Sequence, residues 1–138
     1  MRPVGRALTP LERQRYAPFF ERELLQAVRL FDGHVPFWLR PDMLGVTLGH
    51  RIYFRRGAYE ADRLTSIELL AHELAHVRQY ARGMTVWKYL WASRRGYWRN
   101  PYEVEARAVG AQVMPSIARP TASATSMPST PADMIPPA

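Results

Sequence analysis

The sequence predicts a single α+β domain at residues 1–113, followed by a disordered tail at residues 114–138. Apolar residues recur at helical spacing beside capping signals in several segments, and one pair of β-rich runs surrounds Gly49-His50. From Met114 to Ala138 the chain is dominated by Pro, Ala, Ser and Thr and has no aromatic residue. Because such a composition buries too little apolar surface to offset the entropy of ordering, this stretch is expected to be disordered.

Two helices are predicted near the N-terminus. Thr9-Pro10-Leu11-Glu12 places an N-cap threonine, a first-turn proline and a capping-box glutamate at the start of the first. After Pro18, apolar residues recur at helical spacing and Gly33 is suited to the C-cap of a second helix. The apolar residues of this predicted helix are Phe20, Leu24, Ala27, Val28 and Phe31.

A β-hairpin is predicted at residues 46–54. Two short β-rich runs flank Gly49-His50, which forms a plausible two-residue turn with glycine first. Side chains alternate across a strand, so Ile52 and Phe54 are expected on one face, opposite Arg51, Tyr53 and Arg55.

Three further helices are predicted in the second half of the chain. Thr65-Ser-Ile-Glu68 has the form of a second capping box, and Gly83 is suited to end the helix that it opens. A shorter helix is predicted at residues 86–94. The last is expected to begin at Asn100-Pro101, with asparagine as the cap and proline at the first helical position.

Composition restricts the chemistry. The chain has no cysteine, which excludes disulfides and thiolate metal sites, so a metal would need His, Asp or Glu ligands. The net charge of +7 is the excess of eighteen Arg and one Lys over twelve Asp and Glu. The cations are scattered along the chain, without the clustered footprint typical of nucleic-acid binding. No apolar run approaches the ~18 residues of a membrane helix, and no secretory signal is visible. A cytoplasmic protein is expected, without a transmembrane segment and without nucleic acid as its partner.

The third predicted helix contains His72-Glu-Leu-Ala-His76. Two histidines four residues apart lie on one face of a helix, so both imidazoles can bind the same metal ion. Glu73 is rotated by about 100° from His72, beside the metal rather than on it, which suits a base acting on water. The alternative is a pair of partly buried histidines whose hydrogen bonds are satisfied without a metal.

The helix around these residues is predicted to have three faces. An apolar face, expected to contact the core, consists of Ile67, Leu70, Leu74, Val77 and Ala81. A small and polar face, expected to contact water, consists of Glu68, Ala71, Ala75, Arg78 and Arg82. The face that would border a metal cleft consists of Leu69, His72, His76 and Tyr80.

A catalytic zinc site has three protein ligands and an open position, and the third ligand here is expected to be a carboxylate. The other two histidines, His34 and His50, are predicted in a loop and a turn. Glu103 is favoured over Glu105 because the small residues Ala106 and Gly110 on its side would let the last helix pack close to the histidine helix. Glu105 shares a wetter side with Val109 and Gln112. Alternatively, Glu103 is only the capping-box partner of Asn100.

Two stretches of the chain resemble a known class of enzymes. Leu69-Leu-Ala-His-Glu-Leu-Ala-His-Val-Arg-Gln79, followed by Asn100-Pro-Tyr-Glu-Val-Glu-Ala106, is similar to the gluzincin pattern of H-E-x-x-H and a later E-x-E-A helix. Over residues 46–113 the chain most resembles a domain-of-unknown-function family of small metallopeptidases that includes the core domain of extracellular contractile injection systems. It is more distantly similar to the ImmA/IrrE peptidases.

This resemblance implies a minimal zincin-like fold, with an N-terminal helix, a small sheet, the H-E-x-x-H helix and a glutamate-bearing helix. It implies a zinc ion held by His72, His76 and Glu103, with Glu73 as the catalytic base. The implied activity is the hydrolysis of a peptide or protein substrate through a metal-activated water. By analogy with the edge strands of similar enzymes, the strand from Ile52 to Arg55 is expected to bind an extended peptide.

Arg107 departs from the pattern, because related gluzincins often have Asp or Asn four residues after the ligand glutamate. Arg107 is therefore expected within reach of Glu103, Glu105 or another acid. Tyr80, Tyr97 and Tyr102 are candidates for a transition-state donor, although aromatic packing is the favoured role for each.

Two other functions stay open. One is a metal-binding or structural module without turnover. The other is a surface for a membrane interface or single-stranded nucleic acid. It would consist of Trp87, Tyr89, Leu90, Trp91, Arg94, Arg95, Tyr97, Trp98 and Arg99. However, the spacing of Trp87, Leu90 and Trp91 favours core packing instead.

Overall fold

The computed structural model describes residues 5–118, with side chains to Met114, and confirms the α+β class. The strands are β1 (Arg6–Ala7), β2 (Arg29–Asp32), β3 (Gly45–Leu48) and β4 (Arg51–Phe54). The helices are α1 (Pro10–Tyr16), α2 (Arg22–Ala27), α3 (Leu64–Ala81), α4 (Val86–Ala92) and α5 (Pro101–Ala118). A 3-10 turn at Ser93–Arg95 follows α4.

The four strands form one sheet in the order β1-β2-β4-β3. The β3–β4 hairpin is confirmed around Gly49-His50, and Thr47 lies opposite Ile52. Because β4 also pairs in parallel with β2, it is an interior strand, and the expectation that it offers an edge to a peptide is wrong. The edge on that side of the sheet belongs to β3.

The predicted helix after Pro18 is only partly correct. Helix α2 ends at Ala27, Val28 is already extended, and residues 29–32 form β2. Leu30 lies opposite Ile52 of β4, so pairing with a strand more than twenty positions away overrides the local helical spacing. Gly33 follows the strand with a φ of 82° and donates its backbone N–H to Phe54.

The two capping-box predictions have different outcomes. At α1 the box is confirmed, since Glu12 N donates to Thr9 Oγ1 and Thr9 N donates to Glu12 Oε1. At α3 it is wrong, because the helix begins at Leu64, two residues before the start that a Thr65 cap would give, and it has no side-chain cap. The hydroxyl of Ser66 instead bonds back to the preceding loop, where it accepts from Glu60 N and contacts the carbonyl of Ala58.

Helix α3 is the centre of the fold, packed between the sheet and α5. Its predicted apolar face is confirmed by burial except at Ala81, which is exposed. Its predicted wet face is partly wrong, since Ala71 and Ala75 are fully buried. A Cβ added to Gly110 of α5 would lie 3.3 Å from the carbonyl oxygen of Glu68, so small residues on both helices allow a close crossing.

The C-terminal helix extends beyond the predicted domain boundary at residue 113. Helix α5 continues to Ala118, and the remainder of the predicted tail lies outside the described residues. Within the described part of the chain, no helix combines the length and the apolar character needed to cross a membrane.

Candidate metal centre

Helices α3 and α5 bring together the three predicted metal ligands. His72 and His76 lie one turn apart on α3, with ring centroids 5.0 Å apart. Glu103 lies in the first turn of α5, whose start is capped by Asn100 through a hydrogen bond from Tyr102 N to Asn100 Oδ1. The buried Asn100 amide also donates to Ser93 and Tyr89, which ties the start of α5 to the end of α4.

One carboxylate oxygen lies between the two imidazoles. Glu103 Oε1 is 2.9 Å from His72 Nε2 and 3.1 Å from His76 Nε2. The ligand atoms of the three residues all lie within 4.8 Å of one another, so this group could hold a metal ion. His34 and His50 are exposed and lie outside it.

The two glutamates of α5 have different partners. Glu103 is buried and directed at the histidines, whereas Glu105 is exposed and accepts a hydrogen bond from Gln79 Nε2. The capping-box alternative for Glu103 is not observed, because the backbone N–H of Asn100 donates to the carbonyl of Tyr97. The two glutamates therefore lie where the small residues beside Glu103 predicted them.

In the absence of a metal ion, hydrogen bonds and nearby charges favour the charged forms of Glu103 and His76. Burial acts to raise the pKa of the Glu103 carboxyl, but hydrogen bonds from His72 and His76 outweigh it and hold that pKa well below its usual range. Burial acts to lower the pKa of His76, but the hydrogen bond to Glu103 and the charge of Glu73 raise it to about 9. A divalent cation would replace the proton on His76 and find a carboxylate that is already ionised.

Gln79 orients the imidazole of His76 through its Nδ1 atom, a contact that was not predicted from the sequence. The amide nitrogen of Gln79 donates to the carbonyl of Tyr102 at 2.8 Å and to Glu105 at 2.7 Å, so its oxygen must face His76. That oxygen lies 2.7 Å from His76 Nδ1, which therefore carries the proton and donates. With its Nδ1 proton so held, His76 presents Nε2 to the centre, as a metal-binding histidine does. The spacing of three residues on one helix was the available signal.

Tyr89 is the second residue that the sequence analysis missed as part of the site. Its hydroxyl donates to Glu103 Oε2 at 2.5 Å, the oxygen that does not contact the histidines. Burial and the hydrogen bond to Glu103 raise the pKa of Tyr89, so it stays a donor. Of the tyrosines that were considered, Tyr80 and Tyr97 line the cleft, and Tyr102 stacks against Tyr89.

Glu73 lies beside the cluster rather than in it. Its side chain is buried, and the hydroxyl of Thr47 on β3 lies 3.0 Å from Glu73 Oε1 and 3.1 Å from the Glu73 carbonyl oxygen. In the register of the β3–β4 pair, Thr47 is buried opposite Ile52, and this position also places Thr47 against α3. The result is a carboxylate fixed at one oxygen and separate from the group that could hold a metal.

The cluster opens into a cleft with a cavity of about 340 Å³. One wall is the edge strand β3, and another is α4. A third is the loop at residues 38–43, which Arg55 holds by donating to the carbonyls of Met43 and Arg40. Apart from the cluster the lining is mostly apolar, including Trp38, Met43, Val46, Leu48, Met84 and Leu90.

Arg107 does not meet an acid, so that expectation is wrong. Its Nη2 donates to the carbonyl of Trp98 at 2.6 Å, and its guanidinium lies 3.9 Å from the centroid of the Trp98 ring. Among the described residues no carboxylate lies within ion-pair distance of Arg107. Trp98, just before α5, offers both its backbone carbonyl and the π face of its indole, which together replace the acid.

Core packing of Trp87, Leu90 and Trp91 is also wrong. Trp87 is 79% exposed and Trp91 is 70% exposed, and α4 contains no buried residue. The helix is held instead through Tyr89 and through the capping hydrogen bond from Lys88 N to Thr85 Oγ1. Helical spacing identified a common face but not the side of the molecule to which that face is turned.

Comparison with known families gives a match in the first part of the chain. A family model described as the eCIS core domain matches residues 7–84. The matched stretch runs from β1 through α3 and includes His72, Glu73 and His76, but it ends before Glu103. No curated protein and no solved structure matches the chain.

Proposed function

The chain belongs to the eCIS core domain family, and we propose that it is a zinc-dependent peptidase. The observation that carries the proposal is the arrangement of two imidazole Nε2 atoms around one carboxylate oxygen, with a second carboxylate fixed beside them. Three ligands and a neighbouring base are the parts that a zinc hydrolase requires.

The donor set fits zinc. Two imidazole nitrogens and one carboxylate oxygen from His72, His76 and Glu103 are the ligand types found in catalytic zinc sites of peptidases. Glu103 is ionised and Gln79 leaves His76 Nε2 facing the other ligands, so at these two residues binding requires only that His76 release its Nε2 proton. When bound, zinc supplies a Lewis acid that lowers the pKa of water towards ~7 and polarises a carbonyl.

Glu73 supplies the proton transfers in this proposal. Because Thr47 occupies Oε1, the other oxygen of Glu73 is left to take a proton from the attacking water and to deliver it to the leaving amine. Thr47 acts as a positioning residue, because a carboxylate already fixed at one oxygen loses less conformational entropy when it takes part in the reaction.

The substrate class follows from the walls of the cleft. Among residues 5–118, β3 pairs only with β4, so its outer edge offers backbone groups to an extended peptide. The apolar lining favours a peptide with a large apolar side chain next to the bond that is cut.

The test compares zinc content and peptide cleavage in the full chain. We expect about one zinc per chain in the wild type and in Glu73→Gln, but cleavage of a peptide library only in the wild type. Glu23→Gln, an exposed glutamate on α2, is the matched control and should keep both properties. A wild type that holds zinc but cuts no peptide would reject the peptidase in favour of a non-catalytic metal-binding module.

A further inference from the structure

The segment after α3 presents a surface that is both apolar and cationic. We call it the α4 surface: the apolar residues Val86, Trp87, Leu90 and Trp91, and the cations Lys88, Arg94, Arg95 and Arg99. All eight are exposed. Exposed apolar side chains grouped in this way, with charges around them, are typical of sites that contact a partner or a membrane.

The exposed indoles are not needed to hold the helix. The described contacts that fix α4 include the Thr85 cap, the bond from Lys88 Nζ to the carbonyl of Gly83, the Tyr89 hydroxyl on Glu103 and the Asn100 amide on the Tyr89 carbonyl. Trp87 and Trp91 face away from these contacts and line a shallow groove on the outer side of α4. These two side chains are therefore available to bind a partner without a change of fold.

Charge identifies the chemistry of the partner. Residues 86–102 contain four cations and no acid. The groove is lined by Trp87, Trp91 and all four cations, and the guanidinium of Arg94 lies 4.8 Å from the centroid of the Trp91 ring. A partner that covers this surface must therefore bring negative charge together with groups that accept indole rings.

The apolar part of the surface distinguishes a bilayer from nucleic acid. Stacked bases need aromatic platforms, but they gain little from aliphatic side chains such as Val86 and Leu90. These two residues also line the cleft of the metal centre, as does another exposed indole, Trp38, which follows the exposed Phe37 in the chain. A broad face of indoles, aliphatic side chains and arginines matches the chemistry of the interface between lipid headgroups and acyl chains.

We infer that the α4 surface docks on anionic lipid bilayers, with Trp87 and Trp91 at the headgroup level and the four cations on lipid phosphates. The cleft, which shares Val86 and Leu90 with this surface, would then lie beside the membrane. The inference does not depend on turnover, because it uses none of the residues of the metal centre.

The test is sedimentation of the full chain with vesicles of equimolar phosphatidylcholine and phosphatidylserine, and with vesicles of phosphatidylcholine alone. We expect binding to the anionic vesicles only, with a blue shift of tryptophan emission and with loss of binding at high salt. Each cation near an anionic surface contributes about a five-fold gain in affinity, so Arg94→Gln/Arg95→Gln should weaken binding about 30-fold. Trp87→Ser/Trp91→Ser should remove the blue shift and most of the binding.

The matched control is Arg22→Gln/Arg51→Gln, which lowers the net charge equally at exposed positions of α2 and β4. Zinc content and circular dichroism show whether each variant keeps the fold. If vesicle binding is lost equally in the control and in the α4 variants, it depends on net charge alone, and the proposal is overturned. It would also be overturned by tighter binding to a single-stranded oligonucleotide at the same salt, or by a dimer that buries the indoles and leaves no affinity for vesicles.

Discussion

Replacing Gln79 should weaken metal binding even though Gln79 touches no metal. Its amide oxygen accepts from His76 Nδ1 at 2.7 Å, and its amide nitrogen donates to Tyr102 and Glu105. Gln79→Met has a similar volume but keeps none of these hydrogen bonds. The imidazole of His76 then loses the contact that fixes both its proton and its ring plane, and we expect zinc affinity to fall about 10- to 100-fold.

The same change should destabilise the metal-free protein. The buried N–H of His76 loses its acceptor at a cost of about 1–3 kcal/mol. The partly buried carbonyl of Tyr102 loses one donor at about 1 kcal/mol, while the exposed Glu105 is solvated again at little cost. A total of roughly 3 kcal/mol lowers the melting temperature of a domain of this size by about 10 °C.

Gln79→Glu separates the two effects, because it keeps the acceptor for His76 but repels Glu105 and the Tyr102 carbonyl. We expect a fall in melting temperature with zinc affinity close to that of the wild type, since a carboxylate also orients a metal-binding histidine. The assays are titration of zinc against a competing chelator and thermal unfolding without metal, with Gln26→Met at an exposed position of α2 as control. Wild-type zinc affinity in Gln79→Met, or an equal loss in both variants, would refute the orienting role.

Four further outcomes are expected. Glu103→Ala should abolish tight zinc binding and Glu105→Ala should preserve it, measured as metal per chain; the opposite pattern would move the ligand to Glu105. Zinc must displace the proton of His76, whose pKa is raised to about 9, so its affinity should rise about ten-fold per pH unit below that value and level off above it. Without metal, the stabilisation from the His76–Glu103 ion pair is fully present below about pH 6.5 and is lost as pH rises through about 9. A melting temperature of the metal-free protein that does not fall over this range would contradict this expectation. Burial acts to raise the pKa of Glu12, but hydrogen bonds from Arg6, Tyr59 and Thr9 lower it to about 2. As pH falls from 4.5 towards 2, the free energy of unfolding of the wild type should therefore decrease by roughly 2 kcal/mol, a value discounted because Arg6 is half-exposed. In urea unfolding, the free energy of unfolding of Glu12→Gln should depend less on pH over this range.

Short-range patterns correctly predicted several parts of this protein that depend on neighbours in the chain, although the second capping box, at Thr65, was wrong. The capping box at Thr9, the turn at Gly49-His50 and the asparagine cap before α5 each involve residues within a few positions of one another. The shared face of His72 and His76 follows from helical geometry alone. The small residues beside Glu103 predicted the close crossing of α3 and α5, because contact distance between helices depends on side-chain size.

Features that depend on distant partners could not be read from the sequence. The segment at 29–32 has helical spacing but becomes a strand because β4 pairs with it in parallel, and that same pairing moves the free edge to β3. Spacing equally cannot distinguish a face buried under another helix, as at Ala71 and Ala75, from one left in solvent, as at Trp87 and Trp91.

The metal centre shows the same division. Its histidines follow from one helix, but the contacts that hold the centre come from four separate elements. Thr47 on β3 contacts Glu73, Tyr89 on α4 contacts Glu103, and Gln79 links His76 to α5. A hydrogen bond needs donor and acceptor within about 3 Å, and only the packing of these elements brings such atoms together.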